Sequence, residues 1–120
     1  MTKQAVIATS QQHFAIDLPM DQIKSFCERW QIIEFALFGS VLRDDFRPDS
    51  DVDVLVTVAP EFAWTLSKAV QRQEEIEAVF GRKVDFVERR NVERSFNYIR
   101  RKEILKTAQV IYVQRQGLST

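Results

Sequence analysis

The sequence predicts an α/β domain in which a short mixed β-sheet is flanked by helices. Segments with apolar residues at helical spacing alternate along the chain with short apolar runs of the kind that form strands. This order is typical of a sheet covered by helices. At 120 residues, with 45% hydrophobic and 28% charged residues, the chain has the composition of a globular protein. We therefore expect a single domain spanning residues 1–120.

The first half of the chain predicts a helix, a buried strand and a polar loop. Residues 1–18 give mixed signals and are predicted to form either a loose arm or a short strand that includes Ala5 to Ala8. An apolar stripe from Pro19 to Trp30 predicts a helix, because proline suits the first helical turn. The run from Ile32 to Phe38 has few polar breaks, so we expect a strand buried on both faces. It stops at Gly39-Ser40, where a short helical turn and a polar loop follow.

The second half predicts strands that alternate with two helices. Pro60 ends a strand, Gly81 suits a helix C-cap, and Asn91 suits the N-cap of the last helix. Phe62 and Trp64, near the start of the longer helix, could border a nucleotide base or a partner, but core packing is the favoured interpretation. The predicted elements are a strand at 51–58, a helix at 61–80, a strand at 83–87, a helix at 92–106 and a strand at 110–113.

Charge and hydropathy argue against a membrane protein and against a general nucleic-acid binder. Seventeen basic and seventeen acidic residues cancel, so no net charge attracts the chain to nucleic acid or to anionic lipid. No apolar run approaches the roughly 20 residues that span a bilayer, and no signal-type segment opens the chain. We expect a cytoplasmic protein without direct nucleic-acid binding.

The single cysteine and the single histidine limit the possible chemistry. Cys27 recurs with Ile23, Phe26 and Trp30 at helical spacing, which predicts a buried and unreactive thiol, and one cysteine cannot form an internal disulfide. His13 has no second histidine to complete a zinc site, and it lies in a polar stretch. A His-based zinc site or a Ser-His-Asp triad within this chain is therefore not expected.

Two aspartates at alternate positions open the second predicted strand. Side chains in a strand alternate between faces, so Asp51 and Asp53 should share one face while Val52 and Val54 point to the other. Two carboxylates held this close repel each other unless a cation lies between them. Mg²⁺ suits such a pair, because it takes one or two protein carboxylates and completes its shell with water and phosphate oxygens.

Further candidates lie on either side of this pair. Gly39 allows a phosphate to approach the backbone, and Ser40 offers a hydroxyl and an N–H to it. Asp85 is the internal aspartate of the next predicted strand and is the candidate third carboxylate. Arg43 could neutralise a triphosphate or pair with a nearby loop aspartate, and Arg47 has the same two options.

Gly39-Ser40, followed after ten residues by Asp51-Val52-Asp53 and later by Asp85, resembles the nucleotidyltransferase superfamily of DNA polymerase β-like enzymes. The chain is most similar to the minimal nucleotidyltransferases, which are often encoded beside a HEPN-domain protein as the antitoxin of a toxin–antitoxin pair. The likeness extends from about Pro19 to Val113. Many relatives carry glycine where this chain has Asp44, which puts the geometry of this loop in question.

The resemblance implies a role for each site residue. Asp51 and Asp53 would bind two Mg²⁺ ions, and Asp85 would bind the ion nearer the attacking hydroxyl and help to take its proton. Gly39 and Ser40 would hold the leaving phosphates of ATP. All three acidic positions are present, which favours an active enzyme over an idle site.

The resemblance also implies a reaction and a partner. The chain would transfer AMP from ATP to a protein hydroxyl, a tyrosine of a cognate HEPN ribonuclease toxin, and so act as an antitoxin within a hetero-oligomer. Two alternatives stay open: a non-catalytic antitoxin that neutralises its toxin by binding, and a small-molecule nucleotidyltransferase that works as a homodimer. A basic cluster on the last predicted helix could hold RNA, the phosphates of a nucleotide or an acidic partner, or could form a solvated helix face; a protein partner is the favoured interpretation. It comprises Arg94, Arg100, Arg101, Lys102 and Lys106.

Overall fold

A five-stranded mixed sheet lies at the centre of the part of the chain that this computed structural model describes, residues 5–7 and 14–114. The strands are β1 Ala5–Ile7, β2 Ile32–Phe38, β3 Val52–Val58, β4 Val84–Glu88 and β5 Gln109–Gln114. The helices are α1 Met20–Arg29, α2 Leu66–Phe80, α3 Arg89–Glu93 and α4 Tyr98–Thr107. The strand order is β1-β5-β2-β3-β4; β3 and β4 pair in parallel and the other neighbours antiparallel. The predicted class, a mixed sheet flanked by helices, is confirmed.

The N-terminal segment contributes a strand at one edge of the sheet. Of the two predictions for residues 1–18, the strand is confirmed for β1, which pairs with β5 so that Ala5 lies opposite Gln114. Residues 8–13, with His13, lie outside the described residues. None of the described helices is long and apolar enough to cross a membrane.

Two hydrophobic clusters lie on opposite faces of the sheet. On one face, α1 and α2 pack against alternate residues of β3, including Val52 and Val54. On the other face, Leu55 packs with Val92 of α3 and Ile104 of α4. Since side chains alternate along a strand, Asp53 shares the face of Leu55. Strand β2 contributes to both clusters, which confirms that it is buried on both faces.

Helix α1 matches its prediction and buries the cysteine. Ile23, Phe26 and Cys27 are fully buried, and burial raises the pKa of the Cys27 thiol, with a smaller contribution from the negative charge of Glu28. A thiol held in its protonated form is a poor nucleophile. The prediction of an unreactive core cysteine is therefore confirmed.

The predicted helix at 61–80 begins later than expected. Thr65 is its N-cap, with a side-chain oxygen that accepts a hydrogen bond from the Lys68 N–H at 3.1 Å. The preceding residues fold back as an aromatic cluster, in which the Trp64 ring stacks on Trp30 with centroids 5.8 Å apart and lies 4.6 Å from Phe62. Core packing was the favoured role of these aromatics and is confirmed. The helix ends as predicted at Gly81, which has a φ of 68°.

The predicted helix at 92–106 is in fact two helices. Asn91 lies inside α3 and does not cap it, so that prediction is wrong. Asn97 is the N-cap of α4, because its side-chain oxygen accepts a hydrogen bond from the Arg100 N–H at 3.1 Å. The Ser95 hydroxyl accepts another from the Asn97 N–H. These local bonds satisfy the backbone outside a helix and favour the break between α3 and α4.

Candidate active site

A tight turn after β2 places backbone directly beside the Asp53 carboxylate. Gly39 has a φ of 76° and begins a 3₁₀ turn that extends to Leu42. A Cβ atom at Gly39 would overlap the Asp53 carboxylate, with only 3.1 Å to its Cγ. Glycine is therefore required here both by the backbone angle and by the close approach. The structure brings Gly39 and Asp53 together, as the sequence predicted for the candidate site.

Asp53 and Asp85 are direct neighbours across the parallel strands β3 and β4. Burial raises the pKa of the Asp53 carboxyl, and the negative charges of Asp85 and then Asp51 raise it further, while Arg100 and Arg43 oppose the shift. Asp51, which is exposed, comes immediately before β3. Asp85 and Asp51, both named from the sequence, thus lie close enough to Asp53 for their charges to act on its carboxyl.

This acidic cluster fits a divalent cation by its chemistry. As the side chains stand among residues 14–114, no three acidic, histidine or cysteine side chains converge into a ready-made metal site. Asp51 and Asp85 are exposed, however, and can turn toward Asp53. Carboxylate oxygens are the hard ligands that Mg²⁺ prefers, and a cation would relieve the repulsion that raises the pKa of Asp53.

Helix α2 fixes the strand that carries Asp85. The Gln73 amide donates a hydrogen bond to the Val84 carbonyl at 2.7 Å, and the Glu77 carboxylate accepts one from the Val84 N–H at 3.3 Å. These bonds hold the start of β4 one residue before Asp85. At the other end of this strand, the largely buried side chains of Arg72 and Glu88 form an ion pair at 3.2 Å. These contacts could not be predicted from the sequence, since they depend on how α2 packs on the sheet.

Two arginines, Arg43 and Arg100, lie near the acidic cluster, and only Arg43 was predicted as a site residue. Arg43 pairs with Asp45 at 3.3 Å, which is one of its two predicted options. Both side chains are more than half exposed, so this pair is weak and leaves the guanidinium able to move to a phosphate. Arg100 of α4 was missed as a site residue; its Nη2 lies 3.8 Å from Oδ2 of Asp85.

Arg82, which lies two residues before β4, holds the polar loop between β2 and β3 in place. The Arg82 guanidinium donates hydrogen bonds to the carbonyls of Arg47 and Ser50 and lies over the Phe46 ring. The Ser50 hydroxyl also accepts a bond from the Arg47 N–H. These contacts fix the backbone that leads into Asp51. The Arg47 side chain is exposed, and its role at a phosphate stays a prediction.

A cleft opens between the Gly39 turn and α4. Its volume is about 260 Å³, and its walls include Gly39 and Arg43 on one side and Glu103, Ile104 and Thr107 of α4 on the other. The same face of α4 carries Arg100, one helical turn before Glu103. Helix α4 therefore borders the site from Asp85 to Gly39 and leaves space for a ligand beside Gly39.

Aspartates on neighbouring strands beside a Gly-Ser turn define a class of protein, the nucleotidyltransferases. A family model, the nucleotidyltransferase domain, matches residues 20–110. The chain belongs to this family, and the resemblance drawn from its motifs is confirmed.

One curated relative and two solved structures show which members of the family the chain resembles. The chain is 39% identical over 64 residues to the protein adenylyltransferase MntA of Thermococcus cleftensis; the match covers 53% of this chain and 63%, less than two thirds, of that relative. A solved structure described as a minimal nucleotidyltransferase has a TM-score of 0.58 and 28% identity, and the alignment covers 76% of this chain and 86% of that one. A toxin–antitoxin structure with AMP-PNP shares the fold, with a TM-score of 0.56, 17% identity, and coverage of 82% and 73%.

Proposed function

We propose that this protein is a metal-dependent adenylyltransferase that transfers AMP from ATP to a hydroxyl of a cognate HEPN-domain toxin, a tyrosine, and thereby neutralises it. The observation that carries the proposal is the pairing of Asp53 with Asp85 across β3 and β4, with Asp53 against Gly39 and the charge of Asp51 nearby. The likeness to a protein adenylyltransferase and to a toxin–antitoxin structure that holds an ATP analogue supports the choice of nucleotide and partner.

The acidic residues would hold the metal. Asp51, Asp53 and Asp85 would bind one or two Mg²⁺ ions, which when bound neutralise charge on a triphosphate and favour displacement at the α-phosphorus. Asp85 is about half exposed, so an acceptor hydroxyl can reach its carboxylate and transfer a proton to it. The oxygen of that hydroxyl then forms the new bond to the α-phosphorus, and pyrophosphate leaves.

The turn after β2 would hold the outgoing phosphates. Gly39 presents backbone without a side chain, and Ser40 adds a hydroxyl and an N–H, so phosphate oxygens can approach closely. Arg43 borders the same cleft and can leave its exposed partner Asp45 to bind a phosphate in bidentate fashion.

Intact-mass spectrometry of the toxin tests the proposal. The toxin is incubated with ATP, Mg²⁺ and either the native chain or the variant Asp51→Ala, Asp53→Ala. We expect adenylate-sized increments that map to a tyrosine and that vanish with the variant. A matched control, Asp49→Ala, removes an exposed loop aspartate and should leave the increments unchanged.

The same experiment separates the two alternatives. If the double variant neutralises the toxin as well as the native chain does, and no increment appears, the protein is a binding antitoxin and the proposal is wrong. If a small molecule gains the nucleotide without any protein acceptor, the chain is a small-molecule nucleotidyltransferase.

A further inference from the structure

Three large apolar side chains project into solvent where α4 begins. Phe96 is fully exposed, at 103% of its reference area, Ile99 is 80% exposed and Tyr98 is 62% exposed. Single exposed apolar residues are ordinary, but a group of this size marks an interaction site. We refer to Phe96, Tyr98 and Ile99 as the 96–99 patch. The break between α3 and α4 creates it, since a continuous helix would orient these residues differently.

Cations border this patch and extend it along α4. Arg94 and Lys102 are exposed on either side. Tyr98 also lines a groove of about 480 Å³ along the helix. The other lining residues are Leu105 and the basic residues Arg101, Lys102 and Lys106. Because acidic and basic residues balance over the whole chain, this groove is a local positive surface with an apolar floor.

The patch is held in place by the loop beneath it. The Arg101 guanidinium lies over the Tyr98 ring at 5.0 Å and donates hydrogen bonds to the carbonyls of Glu93 and Ser95. This contact orients the ring in the absence of a partner. A preformed aromatic surface loses little conformational entropy on binding and is typical of interface hot spots.

The patch is continuous with the candidate active site. Arg100 directly follows Ile99, and its guanidinium lies 3.8 Å from the carboxylate of Asp85. Asp85 is the carboxylate that, in the proposed mechanism, accepts the proton of the attacking hydroxyl. A protein that covers the patch therefore reaches the site from the side on which an acceptor must arrive.

We propose that the 96–99 patch and the adjoining α4 groove are the docking surface for the acceptor protein. The partner would place an apolar side chain against Phe96, Tyr98 and Ile99, with acidic residues opposite Lys102 and Lys106. This inference rests on the proposed function for the identity of the partner as the cognate HEPN toxin. The position beside Asp85, where an acceptor hydroxyl must arrive, favours that partner over a second copy of this chain or an RNA.

The test measures the affinity of the native chain and its variants for the HEPN toxin in solutions without ATP, by titration calorimetry. Phe96→Ser with Ile99→Ser should raise the Kd by roughly thirtyfold or more, the range of interface hot spots. The matched control, Leu66→Ser with Val70→Ser, removes exposed apolar residues from α2 and should leave the Kd unchanged. The charge reversal Lys102→Glu with Lys106→Glu changes only exposed side chains, so it tests the surface even if the first variant is unstable; it should raise the Kd, and most at low salt.

Other results would overturn the inference. These are an unchanged Kd for both α4 variants, a loss of self-association in sedimentation with toxin binding intact, or a loss of binding to mixed-sequence single-stranded RNA with toxin binding intact. Affinity is measured without ATP, so the docking result does not depend on AMP transfer. A failure of AMP transfer would refute the proposed function and would not affect the measured Kd values.

Discussion

At the scale of single residues, the account depends on Asp53. Its carboxyl is partly buried beneath β2's turn, faces Asp85 and lies near Asp51, and these features together raise its pKa. The ionised form that binds a cation is therefore less stable here than in a free aspartate as long as no cation is bound. A site of this kind is destabilised without metal, because the charges that hold the ion repel one another.

The pH dependence of stability follows from this shift. Since the folded-state pKa of Asp53 lies above its unfolded value of 3.8, the folded protein gains stability as the pH falls through the folded-state pKa and loses it again as the pH rises. Without metal, Asp53→Asn should be more stable than the native chain at pH 7, by a margin that shrinks towards pH 4. Urea unfolding in EDTA at several pH values measures this margin. Asp49→Asn controls for the lost charge, and a constant margin would contradict the account.

Alanine substitutions at two glycines with similar backbone angles distinguish the effect of backbone strain from an effect on the candidate site. Ala at Gly39 (φ 76°) or Gly81 (φ 68°) should each cost about 1–2 kcal/mol, the strain of a left-handed alanine. Only Gly39→Ala also displaces the Asp53 carboxylate, because nothing lies within 4 Å of an added Cβ at Gly81. We expect kcat/KM for AMP transfer to fall about 100-fold or more for Gly39→Ala and to hold for Gly81→Ala. Equal activity in both variants would contradict the placement of the site.

At the scale of elements, α4 links the candidate site to the proposed docking surface. One of its faces borders the cleft beside Gly39, its first turn reaches Asp85 through Arg100, and its outer face carries the cationic groove. The position at which this helix begins therefore matters to both surfaces.

Capping of α4 provides a matched pair of substitutions. Asn97→Ala removes the side-chain bond to the Arg100 N–H and should lower the free energy of unfolding by about 1 kcal/mol. Asn91→Ala, at an exposed position inside α3, should change it by less than about 0.5 kcal/mol. Urea titration followed by circular dichroism measures both. A larger effect at Asn91 would mean that one longer helix begins there.

Two helix boundaries could not be predicted from the sequence. One depends on tertiary contacts of aromatic side chains, and the other on which of two asparagines caps the last helix. Periodicity located the strands to within one or two residues, and Gly81 marked a helix end. The start of α2 was placed too early because Phe62 and Trp64 pack on Trp30 instead of continuing the helix. The division of the last helix was missed because Asn91 and Asn97 are both good caps, and spacing alone does not distinguish them.

At the scale of the whole molecule, motif spacing predicted which residues the sheet would bring together. Gly39, Asp53 and Asp85 come from separate segments, yet the pairing of β2 with β3 and of β3 with β4 places them side by side. Arg100 was not predictable in the same way, because its position over Asp85 depends on how α4 crosses the sheet. The sequence thus predicted the acidic residues of the candidate site, whereas the position of Arg100 at its border became clear only from the fold.

Phosphate-specific labelling tests whether these aspartates support transfer of a nucleotide. The toxin is incubated with Mg²⁺ and ATP radiolabelled at the α-phosphate, or in parallel at the γ-phosphate, with the native chain and with Asp53→Asn. The account predicts that α-label alone reaches the toxin and that Asp53→Asn abolishes this incorporation. Transfer of the γ-label, or undiminished α-label with Asp53→Asn, would contradict it.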